Sequence, residues 1–375
     1  MEEAKNRSPL KVLMTADTVG GVWTYTVELC KALSNQNIHF HLVTLGARMQ
    51  PWQEKEIGAL DHVTVYETDY LLEWMENPWD DLEESGAYLL SLQKVIQANV
   101  IHLNGYVYGA LDWEVPVVMV AHSDVFSWWR AVKKGNPGSN WDTYFTKVKK
   151  GLSEANHIIA PSYAMMDELN DIYALKKNHS IVYNSRSSAL FNPGIKEKTI
   201  FCMGRIWDEA KNVRLLVDAA PKIPYPIKIA GDNQFEGNRI DITNSNVQNL
   251  GKLDSLQIAK ELSSASIYVL PAKYEPFGLS ILEAALSGCA LVLGDIPSLR
   301  EIWEDNALYV DTENAEELVN TINDLMSDQH KLQQLSEKAW KRAQQFSTEK
   351  MAKQYTNLYS QLVQHHEQLV TKKIL

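Results

Sequence analysis

Residues 11–45 read KVLMTADTVGGVWTYTVELCKALSNQNIHFHLVTL. KVLMTA is an apolar run of strand length, and the glycine pair Gly20 and Gly21 follows it. Val22, Val27, Leu29 and Leu33 then recur on one helical face, and IHFHLVTL alternates as a second strand does. Strand, helix and strand in this order open a parallel sheet. VIHL (100–103), VPVVMVA (115–121), HIIAPS (157–162) and SIVY (180–183) extend the same pattern. NSRSSALFNPGIKEK (184–198) loses periodicity and gains Ser, Pro and Gly, which marks a boundary. The grammar restarts with TIFCMGR (199–205), a helix from about Asn212, and IKIAGD (227–232). SIYVLP (266–271), ALVLGD (290–295) and ALYVD (307–311) follow. The reading is α/β, with two Rossmann-like doubly wound domains facing across a cleft. Residues 1–190 form the first, 191–345 the second, and 346–375 a helical tail in which SQLVQHHEQL is solvated.

Composition limits the function. A chain of 375 residues accommodates two domains. A formal net charge of -11 is wrong for a nucleic-acid binder. Cys30, Cys202 and Cys289 lie far apart, which suits a reducing compartment and no structural zinc. The first ten residues, MEEAKNRSPL, lack a secretory apolar core, and no apolar run approaches the roughly 18 residues of a membrane span. These features predict a cytoplasmic protein. No G-x-G occurs, so the dinucleotide fingerprint of an oxidoreductase is missing.

Ligands of doubly wound sheets bind beyond the carboxyl ends of the strands. Two motifs fall there. GRIWDEAKN puts Arg205 directly after a strand and Lys211 six residues on. YEPFGLSILE (274–283) follows SIYVLP and opens a helix. One reading of the second motif needs no ligand: Ser280 and Glu283 match the S-x-x-E of a capping box. That reading leaves unexplained Glu275, which precedes a proline, and Gly278, which permits close backbone approach.

The ordered pair, G-R-x5-K followed by E-x7-E with its EPFG core, resembles the retaining family-4 glycosyltransferases of GT-B fold. The likeness covers most of residues 199–311 and, more weakly, the Gly20–Gly21 loop. It implies transfer of a sugar from a nucleoside-diphosphate sugar to an acceptor hydroxyl. Arg205 and Lys211 would grip the diphosphate, with the backbone of Phe277, Gly278, Leu279 and Ser280 at a helix start. By the same resemblance Glu283 accepts from the ribose hydroxyls, and Glu275 lies near the donor sugar. His122, ending a strand before Asp124, matches the family's active-site histidine, and Gly20 and Gly21 abut the diphosphate or acceptor. The implied catalytic set is His122, Arg205, Lys211 and Glu275. No strict D-x-D occurs, so cationic side chains are expected to replace a metal, with no cofactor beyond the donor.

Departures refine this. Glycogen and starch synthases carry K-x-G-G where this chain has Thr18 before Gly20, which favours a UDP- or GDP-sugar over ADP-glucose. The family linker often reads N-G-V-D, and this chain has NSRS at 184–187. Recognition of the base is expected to lean on backbone, for example around LGKL (250–253). Trp128, Trp129, Arg130 and Lys134, with Trp141, Lys133, Lys147, Lys149 and Lys150 nearby, suit a sugar ring or an anionic acceptor. Core packing or peripheral membrane contact are the alternatives for that segment. A nucleotide-sugar epimerase of the same fold and a non-catalytic sugar-nucleotide sensor are the competing functions.

Overall fold

The computed structural model describes residues 8–235, 238–239, 241–242 and 246–374. Most of the MEEAKNRSPL stretch therefore lies outside the described residues. Strands β1 (Leu10–Asp17), β2 (Ile38–Leu45), β3 (Val63–Tyr66), β4 (Val100–Leu103), β5 (Val117–Val120), β6 (His157–Ala160) and β7 (His179–Ile181) build the first sheet. All its pairings are parallel, in the order β3-β2-β1-β4-β5-β6-β7. The chain between β7 and β8 (Glu197–Met203) carries no regular element. Then follow β9 (Ile227–Ala230), a hairpin of β10 (Gln234–Phe235) and β11 (Asn238–Arg239), and β12 (Val247–Gly251). Strands β13 (Ala265–Leu270), β14 (Ala290–Gly294) and β15 (Leu308–Val310) complete a second parallel sheet, ordered β12-β9-β8-β13-β14-β15.

The strands that announce themselves as unbroken apolar runs are covered on both faces. Every residue of β4, β5, β13 and β14 is buried, as a parallel sheet clothed by helices requires. The two strands without that signature, VTVY of β3 and VQNLG of β12, sit at sheet edges and are half-exposed.

Strand order reverses between β1 and β4 in the first sheet, and between β8 and β13 in the second. Such switch points open a crevice at the carboxyl ends. The loops at the two crevices are Asp17–Gly20 with Asn104–Tyr106, and Gly204–Arg205 with Pro271–Glu275.

The helix Thr348–Ile374 returns to the first sheet instead of trailing from the second. Its Met351, Ala352, Tyr355 and Tyr359 are buried in one core with Val12, Met14, Val27 and Leu29. Most of SQLVQHHEQL is exposed, although Leu362 and Val363 still lean on that core. Among the described residues no helix is long and apolar enough to cross a membrane.

Candidate functional site

A cleft of about 1310 Å³ opens where the two sets of strand ends face each other. His122, Gly20, Gly21, Trp128 and Trp129 line it from the first sheet. Arg205, Lys211 and the whole stretch from Glu275 to Ser280, with Glu283, line it from the second. Arg130 and Lys134 are not part of the lining. Arg130 pairs with Asp171 and Glu168, and Lys134 ends its helix in a left-handed turn.

On the second-sheet wall the two motifs interlock. Lys211 Nζ donates to Glu275 Oε2 at 2.5 Å. Lys273 N donates to the Ala210 carbonyl at 2.8 Å, and Ser298 Oγ to the Glu275 carbonyl at 2.6 Å, so both loops are fixed. Arg205 Nη2 reaches Asp208 Oδ2 at 2.8 Å, and its guanidinium lies 5.3 Å from the Trp207 ring centre. Burial pushes the Asp208 carboxyl up, but Arg205 and Lys211 outweigh it and hold the group below its usual range. Across the cleft, a Cβ built on Gly20 would stand 3.7 Å from Arg205 Nη1, so the N-terminal glycine loop touches the motif arginine.

The helix Leu279–Leu286 starts at Gly278, whose φ of 90° is left-handed, and no side chain caps it. The capping-box reading of Ser280 and Glu283 is therefore corrected. The glycine turn starts the helix before Ser280 is reached, leaving Ser280 inside the first turn, bonded to the Tyr268 hydroxyl at 2.9 Å. The amides of Leu279 and Ser280 have no carbonyl of their own helix to bond and lie at the cleft.

Glu283 has a different partner. Arg186 Nε donates to Glu283 Oε1 at 2.7 Å, and Arg186 Nη1 to Glu28 Oε1 at 2.8 Å. Ser187 N adds a bond to Glu28 Oε2 at 2.8 Å. All three charged side chains are buried, at 8% for Arg186, 3% for Glu28 and 9% for Glu283. Burial holds the Glu283 carboxyl above its usual range despite the pull of Arg186. Sequence reasoning missed Arg186 as a site residue. The signal was there in NSRS, which places an arginine where the family linker carries valine.

On the first-sheet wall His122 meets Asn104 Oδ1 through Nε2 at 2.8 Å. Asn104 Nδ2 donates to the Thr15 carbonyl at 2.6 Å, which turns its carbonyl oxygen toward the histidine. His122 thus carries its proton on Nε2 and leaves Nδ1 as an acceptor. Burial pushes its pKa down to about 3, so it is neutral at physiological pH. The Tyr25 ring stands edge-on to it at 4.5 Å.

Behind this pair, His102 bonds the hydroxyls of Tyr25 (3.3 Å) and Tyr359 (2.6 Å), tying the C-terminal helix to the histidine's support. Asp17 and Glu73, neither singled out in the sequence, also line the cleft. Burial raises both carboxyls to about 7, against the backbone amides that each accepts. Asp124 is a helix cap: it accepts from Ser127 N at 2.9 Å, and from the Tyr144 and Tyr173 hydroxyls. Trp128 Nε1 crosses to Asp208 Oδ1 at 3.0 Å, so this tryptophan joins the two walls.

Residues 19–185 match the family described as Glycosyltransferase Family 4, and residues 187–342 match Glycosyl transferases group 1. An uncharacterised glycosyltransferase of Methanocaldococcus jannaschii is 23% identical, over 94% of this chain and 99% of its own length. Sucrose-phosphate synthase from Thermosynechococcus elongatus shares the fold with a TM-score of 0.80 at 19% identity, covering 94% of this chain and 98% of that one. Anabaena HepE in complex with UDP-glucose does so with a TM-score of 0.76 at 17% identity, covering 94% and 100%.

Proposed function

Because this chain belongs to the family-4 glycosyltransferases of GT-B fold, we propose that it moves a sugar from a nucleoside-diphosphate sugar to an acceptor hydroxyl, with retention at the anomeric carbon and without a metal ion. One observation carries the reading: Arg205, Lys211 and the first amides of the Leu279 helix share one wall of the cleft, opposite the Gly20 loop. Two cations and a helix start suit a diphosphate whose negative charge grows as it leaves. Preorganised donors of this kind commonly contribute about 3–4 kcal/mol each to the transition state. The same cations take the role a bound divalent ion has in other transferases.

In the reaction the bond from the anomeric carbon to the diphosphate oxygen breaks, and one to the acceptor oxygen forms. The acceptor proton passes to the departing diphosphate. Glu275 is bonded to Lys211, so in this reading retention proceeds without a covalent glycosyl-enzyme intermediate. Leaving group and entering hydroxyl then share one face of the sugar. In this reading Glu283, which lines the cleft beside that wall, accepts from the ribose hydroxyls. The Anabaena HepE structure is a complex with UDP-glucose, and a UDP-sugar is the donor we favour, with a GDP-sugar next.

Thermal-shift titration against UDP-, GDP- and ADP-sugars, each with and without excess EDTA, tests the reading. The expected result is stabilisation of about 2.7 kcal/mol at 100 times the dissociation constant, unchanged by EDTA, with UDP-sugars leading. Stabilisation that appears only with added Mn²⁺ would overturn the metal-independent mechanism. No stabilisation by any of the three would overturn the donor assignment.

A further inference from the structure

Among the described residues, every lysine and arginine that lines the cleft lies beyond residue 185: Arg186, Arg205, Lys211 and Lys252. The N-terminal half lines it with carboxylates, Asp17, Glu56, Glu73, Glu76 and Asp124, and with no lysine or arginine. Five indoles, of Trp52, Trp74, Trp128, Trp129 and Trp141, complete that half of the lining. Arg130 and Lys133 of the tryptophan-rich segment, which in the sequence suggested an anionic acceptor, are paired with carboxylates, although Lys133 stays beside the cleft, 5.9 Å from the Trp128 ring centre. Arg130 holds Asp171 and Glu168, and Lys133 holds Glu209 at 2.7 Å.

The two walls therefore differ in charge as well as in origin. The lysines and arginines of the cleft are gathered where the diphosphate would sit, interleaved with Asp208, Glu209, Asp254, Glu275 and Glu283. Opposite them stand flat apolar rings and hydrogen-bond acceptors. An indole face matches the C–H face of a pyranose, and carboxylates accept from sugar hydroxyls. A phosphate or carboxylate on the same wall would meet the carboxylates of Glu56 and Glu76, while the adjacent Lys133 is already neutralised by Glu209. Burial pushes the carboxyls of Glu73 and Asp124 up, and the charge of Asp124 pushes Glu73 further.

We propose that the N-terminal wall is an acceptor subsite for an uncharged sugar, laid against indole faces with its hydroxyls toward carboxylates, and that it rejects acceptors bearing phosphate or carboxylate. The proposal rests on reading the cleft as a glycosyl-transfer site, but it can be tested without the donor. Tryptophan fluorescence of the whole protein would be titrated with matched pairs, methyl glucoside against glucose 6-phosphate and methyl glucoside against glucuronic acid. Each titration would be run with and without UDP. The neutral member of each pair is expected to bind at least tenfold more tightly. Trp129→Ala should weaken neutral-sugar binding about tenfold and leave the dissociation constant for UDP unchanged. Glu76 is exposed at the rim, and Glu76→Lys should strengthen glucose 6-phosphate binding several-fold without disturbing the fold. A panel in which no neutral sugar binds better than its charged counterpart would overturn the proposal. UDP binding is read in the same experiment, so failure of the donor assignment shows separately, as sugar discrimination without a nucleotide response.

Discussion

Glu283 and Arg186 carry the tightest coupling between sequence and site. Each is buried; removing Arg186 leaves Glu283 without its cation, whereas removing Glu283 leaves Arg186 still paired with Glu28. Arg186→Ala should therefore cost about 3–5 kcal/mol in denaturant unfolding, because two carboxylates would lose their shared cation. Glu283→Gln keeps the shape and one acceptor oxygen, so its stability loss should be smaller while its affinity for UDP falls about tenfold by titration. Wild-type UDP affinity in that variant would remove the ribose role from Glu283. His122 makes a separate, pH-dependent statement. Its folded pKa of about 3 lies below the ordinary 6.5, so between those values the unfolded chain binds a proton that the folded one does not. The stability it contributes is present above pH 6.5 and is lost as the pH falls toward 3. His122→Gln should flatten the stability curve by about 1 kcal/mol per pH unit between pH 6 and 4, measured by urea unfolding. An unchanged slope would mean that the histidine is not held neutral.

At the scale of elements, legibility follows burial. IHFHLVTL and VIHL were read to the residue: VIHL is buried along its length, as a central strand of a parallel sheet is, and IHFHLVTL alternates because His39 and His41 stand half-exposed. VTVY and VQNLG were not, since an edge strand can be half polar and then resembles a loop. The motif YEPFGLSILE was legible as a loop at the carboxyl end of a strand, where it lines the cleft, but its helix start was not. Local pattern favours Ser280 as the cap, whereas the left-handed Gly278 starts the helix first. Gly278 has no substitute there: at φ 90° a Cβ would also come 2.6 Å from Ile281 Cδ1. Gly278→Ala should destabilise by about 1–3 kcal/mol. It should weaken UDP binding as well, because the amides of Leu279 and Ser280 would turn away from the cleft. Calorimetry on the variant reads both effects, and a loss of stability with unchanged UDP affinity would take the helix start out of the donor site.

At the scale of the whole molecule, the contacts that sequence reasoning had no means to find are those between the halves, since they join residues more than a hundred positions apart. Glu301, in the second half, accepts from the amides of Tyr163 and Ala164 at 2.8 Å each and from the Tyr183 hydroxyl at 3.0 Å. It thereby satisfies the first amides of the helix Tyr163–Tyr173 from across the interface. Ser162 Oγ donates to the Pro276 carbonyl at 2.8 Å, so this junction adjoins the loop before the Leu279 helix. A carboxylate serving as a helix cap in trans couples closure of the halves to helix stability. Glu301→Ala would leave those amides without a partner whenever the halves are closed. The expected cost is about 1–2 kcal/mol, and it should fall on the closed arrangement more than on either half. Small-angle scattering should then give a larger radius of gyration for the variant without nucleotide, and addition of UDP should recover the wild-type value. The transfer rate should fall more than UDP affinity does, because closure sets the geometry between the two walls. If the variant matches the wild type in scattering and loses only thermal stability, Glu301 is a cap for its helix and has no part in closing the cleft.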